Sequence, residues 1–151
     1  MKDLYSYVKI DRNDFTRLRD LFPNDLHSRL EQFIHREIDI YAIEYNGAFV
    51  GRLITNYINQ RLPNETIPNR RVCLSHFILF KEHRNKGLGT QLLNFAMRDL
   101  LSQGFTEFTV GVEDRNAIAK HIYFKLGFTE WIGHGTDPCE YDLYLRRWLA
   151  M

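Results

Sequence analysis

The segment from Phe77 to Leu93 constrains the fold of this chain more than any other part of it. An apolar run at 77–80, typical of a buried strand, passes through a basic stretch to Gly87 and Gly89, and an amphipathic helix follows from Thr90. Two glycines at the start of a helix leave its first backbone N–H groups free of side-chain obstruction, and the helix dipole adds partial positive charge there. The pattern therefore predicts a strand, turn and helix unit with a phosphate-binding cradle at the turn.

The length and composition predict one ordinary globular domain over residues 1–151. Hydrophobic residues make up 44% of the chain and charged residues 26%, which is typical of a folded protein. The 20 basic and 19 acidic residues leave a net charge of +1, so no overall field attracts nucleic acid or an anionic membrane. Met1–Tyr7 lacks an apolar signal core, and no segment approaches the roughly 20 apolar residues that span a bilayer. We therefore expect a soluble, cytoplasmic protein that binds neither nucleic acid nor membrane.

The cysteines and histidines do not have the spacing of a metal site. Cys73 and Cys139 form no CxxC pair, and both are expected to be reduced structural thiols in a cytosolic protein. His121, His134 and Asp137 also lack the spacing of metal ligands. The sequence therefore predicts no metal.

Turn residues and hydrophobic periodicity predict seven strands and four helices. Asn46-Gly47 supplies the positive φ angles of a tight hairpin turn, Asp11 is a candidate helix cap, and Gly104 and Gly127 are candidate helix ends. The strands are predicted at 4–10, 38–45, 48–57, 71–80, 105–112, 129–132 and 141–148. The helices are predicted at 12–22, 26–37, 90–104 and 116–127, with loops at 59–70 and 133–140. This order indicates a mixed α/β layer with an antiparallel front half and one strand-helix-strand crossover.

The glycine turn by itself leaves several interpretations open. A dinucleotide-binding fold would need a third glycine where Leu92 stands, and a P-loop would need Gly-Lys-Ser/Thr after four residues; both patterns are absent. A basic surface turn without a ligand also fits the segment.

A second segment, residues 116–128, narrows the choice. Asn116, Ala119 and Tyr123 fall three and four residues apart, so they line one face of a helix. Asparagine offers an amide donor and acceptor, and alanine leaves room for a ligand chain. A tyrosine phenol, with an ordinary pKa of about 10, can protonate a departing thiolate. As purely structural residues, Asn116 would be a helix cap and Tyr123 an aromatic anchor.

The two segments together resemble the GNAT superfamily of acyl-CoA-dependent N-acetyltransferases. The run Arg84-Asn85-Lys86-Gly87-Leu88-Gly89 matches its Q/R-x-x-G-x-G/A motif. The run Asn116-x-x-Ala119-x-x-x-Tyr123-x-x-x-Gly127-Phe128 matches its downstream helix. The resemblance implies a single-domain α/β fold with a mixed, mostly antiparallel sheet flanked by helices. It also implies a splayed acetyl-CoA cleft between the fourth and fifth strands.

The same resemblance implies which residues bind acetyl-CoA. Backbone N–H groups from Asn85 to Thr90 would hold the pyrophosphate, with Arg84 and Lys86 as charge partners. Residues 77–79 would run beside the pantetheine arm. Asn116 would bond to that arm, and Tyr123 would be the general acid toward the sulfur. The full set of implied cofactor-binding residues is Phe77, Ile78, Leu79, Arg84, Asn85, Lys86, Gly87, Leu88, Gly89, Thr90, Asn116, Ala119 and Tyr123.

The implied reaction is direct acetyl transfer to a primary amine of a small molecule, peptide or protein. A backbone N–H near Ile78 would stabilise the oxyanion as the amine attacks the thioester. The general base stays open between Glu113, His76, Glu44, Glu37 and a water chain. The alternative function is a non-catalytic acyl-CoA-binding sensor or regulatory module.

Two further expectations concern the surroundings of the site. The loops at 59–70 and 133–140, the second of which contains His134, are predicted to form the walls of the acceptor site, because variable loops commonly carry selectivity. Exposed aromatic residues in the C-terminal strands would permit a homodimer, and the candidates are Trp131, Tyr141, Tyr144 and Trp148.

Overall fold

The computed structural model of the chain describes residues 4–148. Its strands are β1 (Tyr5–Lys9), β2 (Ile38–Tyr45), β3 (Ala48–Asn56), β4 (Arg71–Leu79), β5 (Glu107–Glu113), β6 (Glu130–Gly135) and β7 (Tyr141–Arg147). Its α-helices are α1 (Leu26–Ile34), α2 (Leu88–Ser102) and α3 (Ala117–Lys125), and 3₁₀ helices span Arg12–Arg17 and Lys81–His83. Among the described residues, no helix is both long and apolar enough to cross a membrane.

The strands form one sheet in the order β1-β2-β3-β4-β5-β7-β6. The pairs β1–β2, β5–β7 and β6–β7 are antiparallel, and β4–β5 is parallel. This confirms the predicted mixed, mostly antiparallel sheet. The β4–β5 register runs from Arg71 opposite Glu107 to Leu74 opposite Val110, where the pairing ends. Both strands continue past that point.

The internal contacts divide the chain into two compact units. The first unit is the described part of Met1–Thr55 together with His76–Ala96, and the second is Asn56–Ser75 with the described part of Met97–Met151. Strand β4 passes from the second unit into the first after Ser75, and α2 passes from the first into the second after Ala96. A single domain over residues 1–151 stays a prediction.

The first 45 residues show where local patterns succeed and where they do not. Asp11 caps the following helix as predicted, and its side chain accepts from the backbone N–H of Asn13 at 2.8 Å. The predicted helix over 12–22 is wrong, because regular structure there is a 3₁₀ helix that ends at Arg17. Pro23 comes directly after the predicted helix and disfavours helical backbone at Phe22. The apolar residues of this stretch reach the core of the first unit through turns instead, and Leu18, Leu21 and Phe22 are buried there.

The predicted hairpin is confirmed between β2 and β3. Asn46 has a φ of +50° and Gly47 a φ of +82°, the positive angles that a tight two-residue turn requires. The last two strands differ more from prediction, since β6 extends to Gly135 and takes His134 out of the loop. The connection between β6 and β7 is correspondingly shorter than the predicted 133–140.

A buried ion pair lies at the first residues of the parallel β4–β5 pair. Arg71 Nε donates to Glu107 Oε1 at 2.8 Å, and Arg71 Nη1 donates to the carbonyl of Asn64 at 2.9 Å. Arg147 Nη1 donates to the other carboxylate oxygen of Glu107 at 3.1 Å. Because these charges are hydrogen-bonded on several sides, their desolvation is offset and the register of the parallel pair is anchored inside the second unit.

Candidate active site

The turn before α2 has the backbone shape of an anion cradle. Asn85 has a φ of +64° and Gly87 a φ of +76°, and the loop from Arg84 to Gly87 is exposed. Helix α2 begins at Leu88, two residues earlier than predicted, so Gly89 lies in its first turn. The first N–H groups of a helix have no intrahelical acceptor, and this first turn contains no acidic residue to neutralise them. The turn therefore has the free N–H donors and the local charge that an anion site requires.

Gly89 makes a close contact within the first unit. A Cβ built on Gly89 would lie 2.9 Å from Cε2 of Phe77 and closer still to Cζ of the same ring. The ring of Phe77 therefore occupies the space that any other side chain at position 89 would need. The second glycine of the motif thus allows the ring of Phe77 on β4 to pack against the first turn of α2. It also leaves the N–H groups accessible.

The two basic residues of the turn differ in their contacts. Arg84 Nε donates to the carbonyl of Leu79 at 2.8 Å, which ties the turn to the end of β4 and keeps the exposed guanidinium beside it. Lys86 Nζ lies 3.5 Å from the hydroxyl of Tyr5 and 5.8 Å from the centre of its ring. The Tyr5 hydroxyl is also 2.8 Å from Nδ1 of His83. Lys86 is therefore directed to an aromatic group on β1, a contact that the motif did not predict.

The end of β4 departs from regular strand geometry at His76. This residue is exposed and has a φ of +53°, which is uncommon for a non-glycine residue and typical of a bulge. After the bulge, Phe77 and Leu79 are half-buried, whereas Ile78 has 40% of its side chain exposed. The residues predicted to run beside the pantetheine arm are thus accessible on the Ile78 side.

Asn116 is the N-cap of α3, as its structural interpretation predicted. Its Oδ1 accepts from the backbone N–H of Ala119 at 3.0 Å, which satisfies one free donor of the helix. Within residues 4–148 its amide Nδ2 has no hydrogen-bond partner. The cap therefore leaves one amide donor available for a ligand. Helix α3 ends before Gly127, whose φ of +92° confirms the predicted left-handed cap.

Substitution can separate the helix-capping role of the Asn116 oxygen from a ligand-binding role of its amide nitrogen. Asn116→Ala is expected to lower the free energy of unfolding by about 1 kcal/mol through loss of the cap. Asn116→Ser keeps a capping oxygen and should retain that stability. If Nδ2 also bonds the cofactor, both variants should weaken acetyl-CoA binding by about five- to tenfold, measured by calorimetry beside denaturant unfolding. Full affinity in Asn116→Ser would limit this residue to capping.

Tyr123 occupies a largely apolar environment on α3. Its ring packs edge-to-face against Phe128, with centroids 5.9 Å apart. Among the residues that the structure describes, none hydrogen-bonds to its hydroxyl. Burial, with a smaller contribution from nearby Cys73, raises the pKa of Tyr123 to about 12. The phenol therefore stays protonated far above neutral pH. Burial likewise raises the pKa of the Cys73 thiol to about 12, so this cysteine is inert.

The candidate general bases have unequal surroundings. Glu44 is hydrogen-bonded and ion-paired to Arg17, so its carboxylate is already engaged. Glu37 is half-buried just beyond α1, and Glu113 is exposed at the end of β5. His76 is exposed at the bulge and has interactions of its own. The predicted residues of β4 and the turn lie in the first unit, and Asn116, Ala119, Tyr123 and Glu113 lie in the second.

The two loops predicted as acceptor-site walls line one pocket of about 410 Å³ in the second unit. Arg61 holds its wall together, because its Nη1 donates to the carbonyl of Asp137 at 3.0 Å and its guanidinium lies 4.5 Å from the centre of the Tyr141 ring. No sequence pattern marked Arg61. The pocket is lined by Gln60, Arg61, Leu62, His134, Gly135, Thr136, Asp137 and Tyr141.

Asp142 organises a polar cluster beside this pocket. It accepts hydrogen bonds from Trp131 Nε1 at 2.9 Å and lies 3.0 Å from His134 Nδ1. These bonds hold the pKa of Asp142 below its ordinary value, and the carboxylate raises the pKa of His134. Asp142 was missed from the sequence because its partners come from the neighbouring strand. No group of three or more candidate metal ligands occurs among residues 4–148.

The aromatic residues proposed for a dimer surface are only partly available. Trp131 is 57% exposed and Trp148 is 38% exposed. Tyr141 and Tyr144 are buried, so the expectation that they would be exposed is wrong. Consecutive residues of β7 are buried, so both faces of this strand are covered. Alternation of apolar and polar residues therefore could not show which side chains are exposed.

Comparison with known proteins agrees with this architecture. An uncharacterised N-acetyltransferase of Lactobacillus delbrueckii subsp. lactis is 26% identical over 145 residues, covering 88% of this chain and 83% of that protein. A putative acetyltransferase from Salmonella typhimurium, solved with its cofactor acetyl-CoA, has a TM-score of 0.76 at 16% identity, covering 98% of this chain and 96% of its own. An aminoglycoside 6'-N-acetyltransferase complexed with coenzyme A has a TM-score of 0.74 at 14% identity, covering 97% of this chain and 98% of its own. A family model described as Acetyltransferase (GNAT) family matches residues 4–128, and because this match spans most of the chain, the protein belongs to that family.

Proposed function

We propose that this protein is an acetyl-CoA-dependent N-acetyltransferase that acts on a primary amine by direct attack. The observation that carries the proposal is the start of α2, where Gly87 and Gly89 leave first-turn N–H groups accessible and no acidic side chain opposes an anion. Membership of the acetyltransferase family and the coenzyme A complexes of two structural neighbours support the same ligand. The proposal includes an acceptor amine on a small molecule or a protein, a cytoplasmic location and a homodimer.

In this proposal the chain binds acetyl-CoA through the residues of its two sequence motifs. The N–H groups from Asn85 to Thr90 bind the pyrophosphate, and exposed Arg84 supplies positive charge. The β4 residues 77–79 run beside the pantetheine arm, to which Asn116 Nδ2 donates, and Ala119 leaves space on the same face of α3. The bound cofactor supplies an activated acetyl thioester.

Tyr123 is proposed as the group that stabilises the departing sulfur. An ordinary thiol has a pKa of about 8.5, whereas that of Tyr123 is about 12, so complete proton transfer to a free thiolate is unfavourable. The phenol instead donates a hydrogen bond that strengthens as negative charge develops on the sulfur. The uncharged form suits a buried position, because ionising the phenol there would cost desolvation.

The acceptor amine must lose a proton before or during attack. A lysine-like amine has a pKa of about 10.4 and is mostly protonated at neutral pH. With Glu44 paired to Arg17, the proposal favours Glu113, His76, Glu37 or water as the acceptor of that proton. A backbone N–H of the exposed Ile78 region stabilises the oxyanion.

The pH profile of the reaction tests this assignment of acid and amine. The value of kcat/KM is expected to rise from about pH 6 to about pH 10 as the acceptor amine loses its proton. It should show no alkaline decline in that range, because Tyr123, with a pKa of about 12, remains protonated. Stopped assays at each pH, with thermal melts to exclude unfolding, measure this. An alkaline decline near pH 8–9 would assign the donor role to a group with a lower pKa.

The function itself is tested by measuring release of the CoA thiol with a panel of small-molecule amines, peptides and proteins. Turnover with any amine, together with acetyl-CoA binding by calorimetry, supports the enzyme. Binding of acetyl-CoA without turnover across the panel would favour the non-catalytic sensor. Absence of acetyl-CoA binding would overturn both assignments.

A further inference from the structure

Arg52 is a buried cation in the first unit that forms no ion pair with any of residues 4–148. Only 7% of the residue is exposed, and its Nε and Nη1 atoms are enclosed without a hydrogen-bond partner. Within residues 4–148 no acceptor bonds to its guanidinium. Buried arginines are ordinarily paired, because an unpaired charge away from water is costly. Among the described residues, Arg52 therefore lacks the hydrogen-bonded anion that such a buried cation ordinarily has.

The immediate surroundings of Arg52 leave one positive charge in excess. Its guanidinium lies 4.4 Å from the centre of the Phe22 ring. Asp25 is the nearby carboxylate, but it pairs with Arg29, whose Nε lies 3.0 Å from its Oδ2. Burial lowers the pKa of Arg52, and Asp25 only partly opposes this effect. Two arginines and one carboxylate thus leave room for a single further negative charge.

The β3–β4 ladder relates Arg52 to the predicted thioester position. The backbone N–H of Phe80 donates to the carbonyl of Val50 at 2.9 Å. Nearer the other end of these strands, Asn56 Nδ2 donates to Ser75 Oγ at 2.6 Å. The two bonds show that β3 and β4 run antiparallel.

Counting two residues along each strand from the bond between Val50 and Phe80 sets Arg52 across from Ile78. Gly51 agrees with this register, because its Cβ position is 3.2 Å from the Ile78 carbonyl oxygen. Neighbouring strands are about 4.8 Å apart. The backbone of Arg52 is therefore beside that of Ile78.

We propose that Arg52 binds a carboxylate of the amine acceptor, so that the preferred acceptors are amino acids or related amines that carry a carboxylate close to the reacting nitrogen. The inference rests on the proposed function, which sets the thioester beside Ile78. A carboxylate is an ordinary partner of a guanidinium, and a monoanion matches the single excess charge better than a phosphate dianion does. A polycationic acceptor would instead be repelled by Arg52 and Arg29.

The test compares acceptors that differ only in the carboxylate. The wild-type protein is assayed with α-amino acids and short ω-amino acids, with their amides, and with the matching amines that lack the carboxyl group, each rate being corrected for the neutral amine fraction. The carboxylate should raise kcat/KM by about 10- to 100-fold, the range of a hydrogen bond to a charged group. Arg52→Met should abolish that preference, and Arg52→Lys should keep part of it.

Two controls separate recognition from folding and from general charge. Arg52→Met should melt no lower than wild type, because replacing an unpaired buried charge with an apolar side chain of similar length removes a desolvation penalty. It should also bind acetyl-CoA with unchanged affinity. Arg19→Met removes an exposed arginine from the same unit and should leave the carboxylate preference intact.

A second readout does not need turnover. The Nε–H signal of Arg52 in ¹⁵N-labelled protein, identified by its loss in Arg52→Met, should shift with N-acetylglycine in the presence of CoA but not with N-acetylglycinamide. An equal response to both compounds, or no shift with N-acetylglycine, would overturn the proposal. Equal wild-type rates for an amino acid and its amide would do the same. If no amine is acetylated, the proposed function fails and the NMR titration still decides the role of Arg52.

Discussion

Replacing Gly89 with valine is expected to weaken acetyl-CoA binding by at least about 100-fold, the loss that follows when two or more charge-assisted hydrogen bonds are broken. A side chain at this position meets the ring of Phe77, whose Cε2 lies 2.9 Å from the Cβ position. Either the ring or the first turn of α2 must move. Both movements disturb the proposed cofactor site, because Phe77 runs beside the pantetheine arm and the turn carries the N–H donors.

The measurement is calorimetry with acetyl-CoA beside a thermal melt. Arg98→Val is the matched control, since it adds a β-branched residue at an exposed position of the same helix and should retain affinity. A double-mutant cycle separates the two causes. If the clash with the ring dominates, Phe77→Ala should rescue Gly89→Ala, and if the methyl group obstructs the N–H donors directly, it should not. Unchanged affinity in Gly89→Val would reject the cradle.

Tyr123→Phe should lower kcat by about 100-fold and leave the affinity for acetyl-CoA nearly unchanged. General acids contribute about 10²- to 10⁴-fold. The lower end applies here because the raised pKa, about 12, makes the phenol a weak acid toward a thiolate. Since the hydroxyl has no hydrogen-bond partner among residues 4–148, its removal should cost no stability.

Single-turnover kinetics and calorimetry measure the two effects separately. Tyr45→Phe is the control, because it also removes one hydroxyl, from the last residue of β2, and should alter neither quantity. Equal rates for Tyr123→Phe and wild type would assign stabilisation of the departing sulfur to water or to another residue. A parallel fall in affinity and rate would instead indicate that the phenol binds the cofactor.

Features that depend on neighbours in sequence were predictable. The Asn46-Gly47 turn, the Asp11 cap and the left-handed end at Gly127 all follow from the conformational preferences of the residues concerned, and the structure confirms them. The failures came where long-range packing replaced local preference. Leu18 and Phe22 have helical spacing, yet they are buried through turns before Pro23. His134 lies in a strand because β6 pairs with β7 as far as Gly135.

The sequence by itself determined the order of elements and the two motifs, because turn chemistry, capping and periodicity act over a few residues. Only the tertiary structure showed that Phe77 fills the space beside Gly89, that Asp142 holds Trp131 and His134, and that loop residues 60–62 line a pocket with residues 134–137. The lack of a hydrogen-bond partner for Arg52 is likewise a feature that only the tertiary structure showed. Burial and the lack of a partner are properties of the surroundings that distant segments create, and no local pattern around Arg52 encodes them.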